Sequence, residues 1–314
     1  MPTLDLGQVV GPQGQKGDQG DVGPQGPQGV QGTAATINGK NAITIEAGDN
    51  ISTEMEDSTL KISAKPYNNP NLLDNWYFLE PVNQRGKKEY TGAGYAIDRW
   101  KFVPTTDGEK LSLTKEGVSI TSQSPLVYLN YAVEKYNNYK GKTLTLSVLG
   151  EFHGTSSIST FTDYDGESGP YTAVYYPFTG DGKLSLYTVT FTLPDKDIKS
   201  FFQLRFCLNE NGASCLVKAA KLELGPIQTL AHKEGNAWVL NNPPPNYALE
   251  LTKCQRYYRI FPSIAAIPGG AAPTASTPVK KEAFSPPMRA DITADKFGQI
   301  TIDGSTFYYA NAEL

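Results

Sequence analysis

The stretch FTDYDGESGPYTAVYYPF at 161–178 carries the side chains best suited to chemistry. It holds three alternating carboxylates and four tyrosines: Asp163, Asp165, Glu167, Tyr164, Tyr171, Tyr175 and Tyr176. Tyrosine rings offer flat apolar faces to a sugar ring, and carboxylates accept hydrogen bonds from its hydroxyls. Clustered carboxylate oxygens are also ligands for Ca²⁺. The pattern therefore predicts a glycan-binding loop, with a calcium site and a solvated turn of half-buried tyrosines as alternatives.

Residues for catalysis are scarce. The chain has only two histidines, His153 and His232, which leaves little material for a Ser-His-Asp or histidine-metal site. Gly141-Lys142-Thr143 resembles the end of a phosphate-binding loop, but Tyr136 stands where that motif needs its first glycine. We therefore predict a binding protein that is not an enzyme and requires no cofactor, with metal binding left open. Paired carboxylates suited to glycoside hydrolysis keep a polysaccharide depolymerase as an alternative.

A strict glycine period marks the amino-terminal region. Glycine returns at every third position: Gly11, Gly14, Gly17, Gly20, Gly23, Gly26, Gly29 and Gly32. Polyproline II chains wind three together only where the residue at the crowded axis lacks a side chain. The period therefore predicts a collagen-like triple helix over 11–34, and with it a homotrimer.

Charge and hydropathy exclude several partners. The net charge is −4, the pI is near 5.4, and no cluster of Lys and Arg is present, which argues against nucleic acid. No apolar run approaches the ~20 residues of a membrane span, so membrane insertion is not expected. The opening residues lack a charged start and an apolar core, so no signal peptide is predicted. Cys207, Cys215 and Cys254 form no C-x-x-C pair and are expected to be buried, reduced thiols.

The elements that must position the loop at 161–178 are predominantly strands. Alternation at Ile43, Ile45, Leu60 and Ile62, punctuated by turn residues, predicts a short β-prism whose isoleucines meet their copies around a threefold axis. Further along, alternating stretches at 111–114, 143–152, 184–193 and 201–208 are separated by Gly, Pro and Asp turns, as in a β-sandwich.

One segment follows a helical period instead. Tyr247, Leu251, Cys254 and Tyr258 fall on one face of a helix over 246–261. Asn246 is a suitable N-cap, and the prolines at 243–245 prevent an earlier start.

Several strings resemble those of bacteriophage tail-fibre proteins. They are NLLDNWYFLEPVNQRG at 71–86, AIDRW at 96–100, KLELG at 221–225, ELTKCQRYY at 250–258, AFSPPMRADIT at 283–293 and FYYANAEL at 307–314. The resemblance implies a jelly roll similar to carbohydrate-binding modules. In it, Trp76, Arg99 and Trp100 are scaffold residues rather than ligand contacts.

Together these signals predict a mainly β homotrimer with a collagen-like triple helix, a short trimeric β-prism, a jelly-roll β-sandwich, and a C-terminal helix with a β-rich tip. The expected parts are an N-terminal attachment segment at 1–10, the stalk at 11–34, the β-prism at 35–65, a linker at 66–70, the jelly roll at 71–230, a linker and helix at 231–261, and the tip at 262–314.

The resemblance also implies a function and a location. It predicts a receptor-binding fibre that adheres to a host-surface glycan and contacts other virion structural proteins through its N-terminus. The chain would be synthesised in the host cytoplasm and reside in the virion. A capsid fibre or decoration protein and a bacterial collagen-like surface adhesin are the alternatives that share the same parts.

Overall fold

The computed structural model describes residues 51–56, 59–64 and 69–313. The glycine repeat, the attachment segment and the strands predicted around Ile43 and Ile45 lie outside the described residues. The hairpin Ile51–Glu56 (β1) and Thr59–Ala64 (β2) pairs antiparallel and includes the alternation predicted at Leu60 and Ile62.

Residues 89–224 contain ten strands that form one continuous sheet. In chain order these are β3 Glu89–Tyr90, β4 Gly94–Ile97, β5 Trp100–Val103, β6 Lys110–Thr114, β7 Gly117–Thr121, β8 Val127–Ala132, β9 Thr143–Tyr164, β10 Thr172–Thr192, β11 Ile198–Leu208 and β12 Ser214–Leu224. The four stretches predicted as strands at 111–114, 143–152, 184–193 and 201–208 all fall within them, and the mainly β prediction is confirmed.

The sheet folds over on itself because β9 and β10 are long enough to serve two layers. The first part of β9, through His153, pairs with β12, whereas its second part, from Ser156, pairs with β11. β10 accompanies β9 along most of its length. Layer 1 therefore contains β3, β6, β7, β12 and one half of this ribbon, and layer 2 contains β4, β5, β8, β11 and the other half.

Two glycines mark the bend in the ribbon. Gly154 lies between the two pairing partners of β9 and has φ 88°, a left-handed value that favours glycine. Gly180 is its partner across the ladder, and a Cβ there would lie 2.1 Å from the carbonyl oxygen of Phe152. No side chain fits at that position, so the close approach of the two strands requires glycine.

One hydrophobic core fills the space between the layers. The inward side chains of β9, such as Leu144, Leu146 and Val148 in layer 1 and Ile158 in layer 2, are fully buried in it. Trp76 (8% exposed) and Trp100 (0%) lie in the same core, as expected for scaffold residues. Arg99 is also 0% exposed. The three cysteines are buried and free.

The segment after the sandwich contains a hairpin, a helix and a small sheet. These are β13 Ala231–Glu234, β14 Ala237–Leu240, α1 Tyr247–Cys254, β15 Tyr258–Phe261, β16 Phe297–Ile302 and β17 Ser305–Asn311. Single 3-10 turns occur at Tyr136–Tyr139, Ile264–Ala266, Lys281–Ala283 and Ala294–Lys296. β15, β17 and β16 form a three-stranded antiparallel sheet with its own small core, which includes Phe261, Phe284 and Met288.

The helix predicted over 246–261 is shorter than expected. Its start is right, because the Asn246 side chain accepts a hydrogen bond from the Leu249 amide and caps the helix. It ends at Cys254, and Tyr258 to Phe261 instead pair with β17. Tertiary pairing overrides the helical period here, since the aromatic and β-branched residues of this segment suit a strand as well.

A buried polar junction connects the sandwich to the C-terminal sheet. Arg85 Nη1 lies 2.8 Å from Asp98 Oδ1, and its Nη2 lies 3.4 Å from Oε1 of Glu313. Gln84 donates one hydrogen bond to Asp98 and another to the Tyr258 carbonyl. Because the two carboxylates are removed from water, their pKa values rise, that of Asp98 to about 6 and that of Glu313 to about 7.

Among the described residues, no helix has both the length and the apolar composition needed to cross a bilayer.

Candidate functional site

The structure divides the residues predicted as a glycan-binding loop into three groups. Tyr164 and Tyr176 point inward and pack against the core of the sandwich, so the prediction that they contact ligand is corrected. Their positions pair with Ile198 and Ile158, which are also core residues. The period of two in a strand places them on the side opposite to Tyr171 and Tyr175.

The acidic residues lie at the end of the β9–β10 hairpin and engage different partners. Asp163 Oδ2 accepts a hydrogen bond from Ser200 Oγ at 2.5 Å. Glu167 accepts hydrogen bonds from Thr172 and Lys196, which lower the pKa of its carboxyl group. Asp165 accepts a hydrogen bond from the amide of Gly166. Within the described residues, no three His, Cys, Asp or Glu side chains form a group that could hold a metal ion.

Tyr171 and Tyr175 lie on the outer side of layer 2 and are 46% and 57% exposed. Both pack edge-on against Phe161, with ring centroids 5.3 and 5.6 Å away. Phe201 on β11 lies 6.4 Å from Tyr171. Phe161 is 3% exposed, so it supports the two tyrosines from below. This arrangement fixes two exposed aromatic rings on a rigid sheet.

Arg205 on β11 extends this surface. Its guanidinium carbon lies 3.6 Å from the centroid of Phe161 and 4.5 Å from that of Tyr128 on β8. One Nη donates a hydrogen bond to Gln203 at 3.3 Å, and Nε donates to none of the residues that the structure describes. Among residues 69–313, no carboxylate forms an ion pair with Arg205. A planar cation held between two aromatic rings and left without a counter-charge is suited to binding a ligand.

We call the outer side of layer 2, with Tyr171, Tyr175, Phe161, Phe201 and Arg205, the aromatic face. Its strand register places polar side chains from five adjacent strands in one cross-strand row. From β5 to β10 these are Lys101, Asn130, Arg205, Ser159 and Tyr175. Asn130 Oδ1 is buried and accepts no hydrogen bond from any described residue, so an acceptor is available beside the arginine.

Small side chains form the floor between the larger ones. Ser157, Ser159 and Cys207 are all at most 2% exposed and lie on the outward positions of β9 and β11. Ser157 donates a hydrogen bond to Asn209. Burial raises the pKa of the Cys207 thiol, so this cysteine is a packing residue rather than a nucleophile.

Arg205, Tyr128, Asn130 and Phe201 were not singled out by the sequence reasoning. The signal available was the alternation in FFQLRFCL at 201–208, in which Phe202, Leu204 and Phe206 are inward. The remaining positions, Phe201, Gln203 and Arg205, are therefore outward. Two aromatic or charged side chains on the outward side of a strand next to a tyrosine-rich hairpin indicate a binding surface.

Comparison with protein-family models finds no match, and comparison with curated proteins finds none either.

Solved structures similar to part of the chain include carbohydrate-binding modules and a phage tailspike domain. A CBM4 module is 21% identical, with a TM-score of 0.31 over 41% of this chain and 88% of its own. The CBM22-1 xylan-binding domain from Paenibacillus barcinonensis is 10% identical, with a TM-score of 0.31 over 50% of this chain and 95% of its own. The enzymatically active domain of bacteriophage CBA120 tailspike protein 4 is 10% identical, with a TM-score of 0.35 over 49% of this chain and 21% of its own. At these scores the similarity carries no conclusion about function.

Proposed function

We propose that this chain is a homotrimeric phage fibre protein that attaches to a glycan on the host surface through the aromatic face. The observation that carries the glycan part is the pair of exposed, supported tyrosines beside an arginine without a counter-charge. Stacking on sugar rings and charge-assisted hydrogen bonds to sugar substituents are the contacts that such a surface offers.

Assembly into a trimer is supported by the glycine period at 11–34. The strings at 71–86, 96–100 and 250–258 resemble those of bacteriophage tail-fibre proteins. This resemblance supports placement in the virion, with residues 1–10 bound to another structural protein. In this proposal the aromatic face binds without breaking bonds, so the protein is not an enzyme and needs no cofactor.

Adhesion would draw its strength from multiplicity. An open sheet face buries only part of a sugar chain, so a single site is expected to be weak. Three copies on one stalk convert the second and third contacts into intramolecular events, which raises overall affinity by about 10² or more where the surface ligand repeats.

The glycan part is tested by replacing the exposed rings. Tyr171→Ala and Tyr175→Ala should each weaken binding of the full chain to host cells and to a glycan array by at least about 10-fold, because ring stacking is lost. Tyr247→Ala is the matched control, since Tyr247 lies on α1 and is 45% exposed. Unchanged binding by the two variants, or an equal loss in the control, would contradict the assignment.

The trimer is tested in the full chain by sedimentation equilibrium and by circular dichroism melting. Gly17→Ala or Gly20→Ala should lower the melting temperature of the stalk, because a side chain cannot fit at the axis of a triple helix. Gln19→Ala, which occupies an outward position of the same triplets, should leave it unchanged. A monomeric full-length chain would exclude the proposed assembly.

A further inference from the structure

The cross-strand row on the aromatic face continues for one more strand. Lys101 on β5 pairs in register with Tyr95 on β4, so the row crosses six strands and ends at Tyr95. Adjacent strands are about 4.8 Å apart. The distance along the row from Tyr175 to Tyr95 is therefore about 24 Å, which is the length of several sugar units.

At its far end the row enters a cavity of about 640 Å³ that is bounded by β3, β4, β5 and the C-terminal sheet. Four tyrosines line this cavity: Tyr90, Tyr95, Tyr258 and Tyr309. Its volume is in the range of small-ligand sites. The row and the cavity share two lining residues, Lys101 and Tyr95, so a single polysaccharide chain can contact both.

The row and the cavity hold three cations that pair with no carboxylate among the described residues. Lys87 and Lys101 line the cavity and make no ion pair with any residue the structure describes. Arg205, two strands from Lys101, likewise makes no ion pair with any described residue. Glu89 is the one carboxylate among the residues described as lining the cavity, and it is engaged by Lys110 at 3.0 Å. Arg85, by contrast, is already satisfied by Asp98 and Glu313.

We propose that the glycan is a linear acidic polysaccharide that lies along the row from Tyr175 to Tyr95, with one end in the cavity. Lys101 and Arg205 are separated by two strand spacings, or about 10 Å, and each would bind a carboxylate of a repeating acidic sugar. Lys87 would bind a further carboxylate inside the cavity. This inference rests on the proposed function, because it names the ligand class of the same face.

Lys87 is exposed, but the positions of Lys101 and Arg205 favour a built site over scattered surface lysines. Lys101 is half-buried on the sheet between Tyr95 and Asn130, and Arg205 is fixed by two aromatic rings. A neutral sugar chain would require donors and acceptors along the row but no unpaired charges. An acidic chain uses the charge, the rings and the length of the row together.

The test compares acidic oligosaccharides of increasing length with the same oligosaccharides after reduction of their carboxyl groups, using the full chain. The probes are oligogalacturonate, hyaluronan and oligosialic acid series, together with neutral xylo-oligosaccharides, measured by calorimetry and on an array. Bound ligands should be acidic, and affinity should rise with length until the chain spans the row. Carboxyl reduction should weaken binding by at least about 10-fold.

The variants separate this inference from the proposed function. Lys101→Gln should weaken binding of long acidic chains about 10-fold and leave the shortest bound chains unaffected, whereas Lys115→Gln, on the β6–β7 turn of the other layer, should change neither. The inference is overturned if only neutral glycans bind, or if Lys101→Gln has no effect while Tyr175→Ala still abolishes binding. In those cases the aromatic face remains a glycan site. If Tyr175→Ala also has no effect, the proposed function itself is wrong.

Discussion

Arg99 and Arg205 occupy closely similar aromatic settings with opposite electrostatic outcomes. The guanidinium of Arg99 lies 3.7 Å from the Tyr257 ring centroid and 4.7 Å from that of Tyr131. Arg205 lies between Phe161 and Tyr128 at 3.6 and 4.5 Å. Arg99, however, is fully buried, with Nε 3.4 Å from Asp74 and hydrogen bonds to Tyr131 and the Ala132 carbonyl.

The difference shows what decides the role of a stacked arginine. Aromatic rings hold both side chains in place, so stacking alone does not distinguish structure from recognition. Arg99 has a carboxylate and a carbonyl within the protein, and it fastens the turn between β4 and β5 to Asp74 and to the end of β8. Among the residues that the structure describes, Arg205 has only Gln203 as a polar partner, so its charge remains for a ligand.

The largest expected effect comes from replacing Arg99, whose charge is paired within the protein. Arg99→Met should destabilise the fold by about 3–5 kcal/mol, because it leaves Asp74 and the carbonyl of Ala132 without a buried partner. Chemical denaturation at neutral pH measures this. Arg99→Lys keeps the charge without the planar fork, so its loss of stability should be smaller than that of Arg99→Met. A loss in Arg99→Met as small as for Arg205→Met would remove the distinction between the two arginines.

The buried carboxylates of the polar junction should make stability depend on pH. The folded-state pKa of Glu313 is raised from 4.5 to about 7, and that of Asp98 from 3.8 to about 6. For an acid with a raised pKa, stability is complete below the unfolded-state pKa and is lost as pH rises through the folded-state pKa. Stability should therefore fall by about 1–3 kcal/mol between pH 4 and about pH 7.

Glu313→Gln isolates one part of this window. The decrease between pH 6 and pH 7 should disappear, while the decrease at lower pH that belongs to Asp98 should persist. Thermal unfolding at constant ionic strength and fixed pH steps measures both. A variant with the same pH profile as the natural chain would show that Glu313 does not titrate in this range.

Replacing Arg205 should affect glycan binding rather than folding. Arg205→Met should weaken glycan binding by at least about 10-fold and change stability by about 1 kcal/mol or less, because no protein carboxylate loses a partner. Calorimetry and denaturation on the same preparation separate the two effects. A large loss of stability would place Arg205 with Arg99 as a structural residue.

The smallest effect is expected from giving Arg205 a carboxylate partner within the protein. Gln203→Glu would place a carboxylate at the oxygen that already accepts from Arg205 at 3.3 Å. Glycan affinity should fall severalfold while stability is unchanged or increases by about 0.5 kcal/mol, as for a partly exposed ion pair. Gln203→Ala is the matched control, and it should lose less affinity because the charge of Arg205 stays free.

The sequence predicted the class of fold and the hairpin that contributes to the aromatic face, but not which residues form that face. Strand periodicity located the stretches at 143–152 and 201–208, because alternation records one buried side directly. Choosing between Tyr164 and Tyr171 required the inward direction of β9 and β10, which depends on strand pairing. Asn130 and Arg205 are far apart in sequence, and their contact follows from a register that local patterns do not encode. The end of α1 was missed for the same reason, since pairing with β17 is remote. The collagen-like stalk and the trimer stay predictions.

The ribbon of β9 and β10 has a consequence for how the sandwich comes apart. β9 pairs with β12 in one layer and with β11 in the other, and β10 accompanies it through both, so neither layer can detach without disrupting a strand of the other. Amide hydrogens in the two layers should therefore exchange with solvent in one common opening event rather than in separate steps. Under mechanical tension, such a domain would unfold in one step at a single force.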